Sequence, residues 1–250
     1  GEMLARDFGL PMGYDAASGG PRGLHLGKSQ AWTVYGPRRS GVTNFLKYVA
    51  RMMRQKKADV YVIGDEKWKA FCEETGVERC STAEEIAAFL QRFIVKYARV
   101  RKPLHDAAMA QGRAQARRQA AQFTSVCVLI DNADRLAELF APKEQAANRV
   151  VMEGLLKEIV TKTDYNFSIF MGLSAPQRLA VSGEPLKTCV AQGCAVALGG
   201  KLGEFDPCNV AMALPSRLRN VTLRPGQGFV YDNGTAFQAV IPLAEAEEEE

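Results

Sequence analysis

At 250 residues, 47% apolar and 24% charged, the chain has ordinary globular composition and enough length for one large core, which excludes a disordered or fibrous protein. No apolar run approaches 18 residues, so no membrane span is expected within it, and any anchor would lie outside this stretch. The net charge of +4 hides an asymmetry: five glutamates stand among the last six residues, Glu245–Glu250, and with those set aside the rest carries about +9.

In chain order, the first clear strand is Ala31–Tyr35 ("AWTVY"). A helix over Val42–Gln55 follows, with Phe45, Val49 and Met52 on its apolar face, and then a strand at Asp59–Ile63. The stretch "STAEEIAAFLQRFIVKYARV" opens with capping-box spacing, Ser81 three residues before Glu84. It carries Ile86, Phe89, Leu90, Phe93 and Ile94 at helical intervals. Its continuation is basic, with eight Lys/Arg against one acid, Asp106, between Gln91 and Gln122. A strand at Ser125–Asp131, an amphipathic helix "NRVVMEGLLKEIVTK", and strands at Phe167–Leu173 and Cys194–Leu198 complete the alternation. Residues 201–228 read as loop, and "GFVYDNGTAFQAVIPL" reads as a hairpin turning at Asp232-Asn233-Gly234.

Strands alternating with helices predict an α/β fold with a mostly parallel sheet and helices on both faces, plus a C-terminal β-hairpin. The expected organisation is one domain over 1–243: an opening segment (1–30), a core (31–200), and a loop-and-hairpin extension (201–243). An acidic tail (244–250) follows and reads as a solvated end. The six cysteines form no C-x-x-C pair, and the two histidines, His25 and His105, lie far apart. Neither a zinc site nor a catalytic triad is expected, and a reducing cytosolic setting suits the cysteines better than a disulfide framework.

Two motifs carry chemistry. "VYGPRRSGVTNFL" aligns on G-x-x-x-x-G-K-[ST] with glycines at Gly36 and Gly41 and the hydroxyl at Thr43, but Val42 stands where the lysine belongs. Such a loop cradles phosphates with backbone N–H groups at a helix N-terminus, so Gly36, Pro37, Arg38, Arg39, Ser40, Gly41, Val42, Thr43 and Asn44 are the candidate nucleotide-binding residues. Arg38 and Arg39 are candidate replacements for the lost charge. "SVCVLIDNADRL" has the form of a Walker B strand ending in Asp131, which with Thr43 would hold Mg²⁺. The next residue, where hydrolysing enzymes place an acid, is Asn132. Both residues most tied to hydrolysis are thus replaced, no catalytic residue is assigned, and Ser174 occupies a plausible sensor position. The basic stretch reads first as a solvated helix face, with an acidic partner or a nucleic-acid backbone as alternatives. Arg99 and Arg101 are candidates for facing a neighbouring subunit.

These pieces together resemble a C-terminal ATPase domain of the FtsK/SpoIIIE superfamily, and within it the last ATPase module of the type VII secretion motor, the EssC/EccC family. The resemblance rests on "LPMGYD", "TVYGPRRSGVTNFLKYV", "CSTAEEIAAFL", "VCVLIDNADRL" and "RPGQGFVYDNG", whose order spans nearly the whole chain. It implies a RecA-like P-loop core and a degenerate, non-hydrolysing terminal module on the cytoplasmic side of a membrane-anchored motor. ATP and Mg²⁺ are the implied cofactors, bound weakly or not at all. The implied partners are neighbouring ATPase modules and a WXG100-type substrate, recognised through its C-terminal signal. Two other readings stay open: a DNA-translocating FtsK-like motor domain, and an interaction module whose loop takes no nucleotide.

Overall fold

Strands that are apolar throughout need cover on both faces, and the chain supplies it by crossing from strand to strand through helices. The computed structural model describes residues 10–14, 20–24, 26, 31–161, 165–173, 184–202, 206–232, 234–241 and 244. Its strands are β1 (Leu10–Tyr14), β2 (Pro21–Leu24), β3 (Ala31–Tyr35), β4 (Asp59–Ile63), β5 (Glu78–Cys80), β6 (Val126–Ile130), β7 (Phe167–Leu173), β8 (Cys194–Lys201), β9 (Thr222–Asp232) and β10 (Thr235–Val240). β1 and β2 form a small antiparallel pair. The other eight make one sheet in the order β10-β9-β8-β3-β7-β6-β4-β5, parallel from β8 to β5 and antiparallel at β9 and β10.

The helices are α1 (Val42–Gln55), α2 (Lys69–Thr75), α3 (Ala83–Phe93), α4 (Arg99–Ala110), α5 (Arg113–Gln122), α6 (Leu136–Leu139), α7 (Ala146–Thr161), α8 (Glu184–Ala191), α9 (Val210–Ala213) and α10 (Ser216–Arg219). One face of the sheet packs Trp32, Val34, Leu129 and Phe170 against Phe45, Leu46 and Val49 of α1 and Phe71 of α2. The other packs Tyr35, Val128, Ile130 and Ile169 against Ile86 and Phe93 of α3 and Leu156 and Ile159 of α7. The predicted layering is therefore present, with every residue of β3, β6 and β7 buried.

Several local expectations are corrected. The capping box at α3 uses Thr82 and Glu85, one residue later than the Ser81–Glu84 spacing. Thr82 has the extended backbone an N-cap needs, and the Glu85 carboxylate reaches back to the N–H groups of both Ser81 and Thr82. On α1 the deeply buried methionine is Met53, with Met52 only partly covered. Residues 201–228 are not all loop: they contain α9, α10 and the first half of β9. The C-terminal hairpin is built into the main sheet, since β9 pairs with β8. β5 and the β1–β2 pair went unpredicted, being short and interrupted by charge, glycine or proline.

The basic stretch also differs from a single solvated helix. A π-helical turn at Ile94–Ala98 joins α3 to α4, and Gln111–Gly112 breaks the path to α5. The π turn adds a residue to the helical cycle and shifts which side chains of α4 face the sheet. Arg101, expected to face a neighbouring subunit, is swung inward and buried. Its guanidinium donates to the carbonyl oxygens of Tyr165 (2.5 Å) and Thr124 (2.9 Å) and lies over the rings of Tyr97, Phe123 and Phe167. Arg99 remains on the exposed side.

All six cysteines are free and buried, and burial pushes the thiols of Cys80, Cys189 and Cys208 up to about 12. Ellman's reagent at pH 8 will find no reactive thiol in the folded protein and six after denaturation. Replacing Arg101 by alanine strands the buried Tyr165 carbonyl and the partly buried Thr124 carbonyl and empties a ring cage. A loss of about 3 kcal/mol is expected in urea unfolding, with lysine failing to restore it because it lacks the planar fork.

Candidate functional site

β3 brings the chain to the edge of the sheet between β7 and β8. The crossover from β3 to β4 leaves to one side, while β8 lies on the other. A crevice opens at such a switch point, and the loop Gly36–Gly41 lies in it. The loop is a tight wrap: Ser40 N–H donates to the Pro37 carbonyl at 3.0 Å, Arg39 sits at φ 66° and Gly41 at φ 103°. α1 then begins with no side chain capping it, and its first internal bond is Phe45 N–H to the Gly41 carbonyl at 2.8 Å. The N–H groups of the first turn therefore have no partner within the helix and present a positive field to the crevice.

The back of the loop is held by backbone. A methyl group at Gly36 would collide with the Leu198 carbonyl and the Ser40 hydroxyl. Gly199 and Gly200 take left-handed conformations, φ 59° and 66°, and side chains there would strike Ser40 and Pro37. On β9, Gly226 N–H donates to the Ser40 carbonyl at 3.2 Å. The "RPGQG" segment, seen in the sequence only as part of a closing hairpin, is thus a brace for the loop.

β6 delivers the second motif. Thr43 Oγ1 donates to Asp131 Oδ2 at 3.0 Å, and the indole N–H of Trp68 donates to the same oxygen at 2.9 Å. Asp131 Oδ1 accepts from Asn132 N–H at 3.1 Å. Asp131 is only 6% exposed, and that burial raises its carboxyl above the usual range; the Trp68 and Thr43 bonds partly offset this, while Asp65 adds to it. Sequence reasoning missed Trp68, a buried residue of the turn after β4; no spacing in the sequence ties it to Asp131.

Asn132 takes the left-handed conformation, φ 55°, which asparagine tolerates far better than glutamate. Val42 packs its Cγ1 toward Gly172 of β7, where an added Cβ would come within 3.0 Å of it. The side chain at the lysine position is therefore part of the helix–sheet contact. Asn44 is tied to the C-terminal segment, its Oδ1 accepting from the N–H of Ala244 at 2.8 Å.

A cleft of about 710 Å³ results, within the range of ligand pockets. It is lined by all the candidate loop residues from Gly36 to Asn44 and by Asp131 and Asn132, so the two motifs share one site. Lys67, Arg135 and Leu173 line it as well, and sequence reasoning had singled out none of them. Ser174, the sensor candidate, lies outside the described residues. A smaller pocket of about 300 Å³ adjoins, sharing Asp131, Asn132 and Arg135. Among the described residues no group of three His, Cys, Asp or Glu could hold a metal, so a divalent ion here would depend on phosphate oxygens and water besides Thr43 and Asp131. Nor is any helix among them long and apolar enough to cross a membrane.

No protein-family model matches the sequence, and no curated protein matches it in sequence. Solved structures do match. EssC (ATPases 2 and 3) from Geobacillus thermodenitrificans superposes with a TM-score of 0.67 at 14% identity, over 96% of this chain and 44% of that one. Thermomonospora curvata EccC (ATPases 2 and 3), solved in complex with a signal sequence peptide, gives 0.67 at 14%, over 97% and 42%. The pCW3 conjugation coupling protein TcpA, in monomer form with ATPγS, gives 0.69 at 15%, over 94% and 66%. This chain spans less than half the length of the EssC and EccC structures. It shares a RecA-like α/β fold with these ATPase structures.

Gly36→Ala tests the loop's seating. It is expected to cost about 2 kcal/mol in thermal or urea unfolding, because the Leu198 carbonyl is backbone and cannot step aside.

Proposed function

We propose that this chain is a nucleotide-binding, non-hydrolysing module of a type VII secretion motor, acting in recognition of a substrate's signal segment and in regulation of the assembly. One observation carries the reading: the cradle and the Thr43–Asp131 pair are intact, while the side chains turnover requires are replaced at Val42 and Asn132. The residues present fit Mg²⁺ and a nucleotide. Backbone N–H groups of Arg39 and of Gly41 to Thr43 would hold phosphate, and Thr43 and Asp131 would hold the ion, directly or through water. An ion held there would offset the negative charge of the phosphates.

Turnover is a different demand. Val42 brings no cation to the phosphates, and Asn132 cannot take a proton from water. Each loss costs orders of magnitude in rate, whereas the backbone cradle depends on neither side chain. Binding outlives hydrolysis on this reading. Signal recognition is supported by the fold shared with EccC, whose ATPases 2 and 3 were solved with a signal sequence peptide. The expected partners are a WXG100-type substrate, through its C-terminal segment, and adjoining ATPase modules. A cytoplasmic location beside the membrane follows from the same reading.

Titration with a fluorescent ATP analogue should show Mg²⁺-dependent binding. Phosphate release should fall at least about 100-fold below that of an intact P-loop ATPase assayed alongside. Thr43→Ala should remove the metal dependence. Turnover at the intact enzyme's rate would overturn the non-hydrolysing assignment. For the partner, anisotropy with labelled C-terminal peptides of WXG100-type substrates should give saturable binding; none with any peptide or motor module would remove the recognition role. Salt-sensitive duplex DNA binding coupled to ATP turnover would instead favour the translocase reading.

A further inference from the structure

The loop lacks its lysine, yet the cleft is not short of positive charge. Besides Arg38 and Arg39 of the loop, Lys67 and Arg135 line it from the turns that follow β4 and β6. Lys67 lies in the short 3₁₀ turn Glu66–Trp68 that follows β4. That turn is held at both ends: Asp65 accepts from Lys67 N–H at 3.0 Å, and the fully buried Trp68 is bonded to Asp131. The backbone of Lys67 is therefore fixed next to the carboxylate that pairs with Thr43, while its side chain stays uncommitted. Its ammonium is 3.9 Å from Asp65 Oδ2, a loose contact, and the side chain is 75% exposed. Arg135 is similarly loose, its Nε 3.5 Å from Glu138. On the loop side, the buried Ser40 hydroxyl, part of the cleft lining, has no hydrogen-bond partner among the described residues.

Resting on the nucleotide-binding reading, we propose that Lys67 is the phosphate-binding cation of this cleft. It would supply from the turn after β4 the charge that the loop lost at Val42, with Arg135 as a second contact. The ligand class is a nucleoside triphosphate. The Lys67 turn is tied through Trp68 to Asp131, which pairs with Thr43, so its charge stands at the end of the cleft where the ion and the outermost phosphate would lie, and the diphosphate should depend on it less. The arrangement also separates holding from turnover. A lysine on the first turn of α1 is aligned by the helix itself, whereas a long exposed side chain outside the loop binds anions without being held to a reacting geometry.

The test is a set of equilibrium titrations with ATPγS and ADP, each with Mg²⁺, on the wild-type chain, Lys67→Ala, Lys67→Arg and the double variant Val42→Lys/Lys67→Ala. Lys67→Ala should weaken ATPγS binding about tenfold and ADP binding by less, without changing the melting temperature, because the side chain is exposed. Lys67→Arg should keep most of the affinity. The double variant should recover affinity by moving the charge to the loop. If the wild type binds ATPγS and Lys67→Ala binds it equally well, the assignment of Lys67 fails and the nucleotide-binding reading stands. If the wild type binds neither nucleotide, both fall. An equal loss for ATPγS and ADP would overturn the outer-phosphate position.

Discussion

The carboxylate of Asp131 joins three segments that are far apart in the chain. It accepts from Thr43 at the start of α1, from Trp68 in the turn after β4, and from the backbone at Asn132. Removing it from water raises its carboxyl, and the donors around it compensate that cost in part. Because β6 ends at this point and β7 lies between it and β3, the carboxylate sets how the loop, the Walker B turn and the Lys67 turn stand around one cleft.

Bracing comes from the opposite side, and it is made of backbone. Gly36, Gly199 and Gly200 bring β3, β8 and the loop closer than side chains would allow, and Gly226, at φ 78°, ties β9 to the loop through its N–H. A loop held by main-chain contacts does not depend on the residue at position 42. That explains how valine can stand there, directed at Gly172, without undoing the cradle. The same logic applies at Asn132, whose left-handed backbone turns the chain out of β6 and suits asparagine. At both positions the residue present serves local packing or conformation.

The fold was largely legible because its signals are local. Uniform apolar runs gave β3, β4 and β7 to the residue and β6 and β8 nearly so, and the helical period placed α1 and α3. The failures were also physical. Nothing in the spacing separates Ser81–Glu84 from Thr82–Glu85; the φ/ψ of the cap decides it. A π turn cannot be read from composition, so Arg101 looked like one more surface charge in a basic run until the chain turned it inward over Tyr97 and Phe167.

At the site, the sequence by itself marked the loop with Arg38 and Arg39, the hydroxyl of Thr43 and the carboxylate of Asp131, because each belongs to a contiguous motif, and the structure brings them round one cleft. The sequence also determined the surplus of positive charge. Which positive charges from outside the loop face the cleft was decided only by the tertiary structure. Lys67 and Arg135 reach it because β4 and β6 are adjacent in the sheet, although 68 residues separate them in the chain. Trp68, Gly199 and Gly226 gain their roles in the same way, from neighbours supplied by strand order, which local periodicity does not encode.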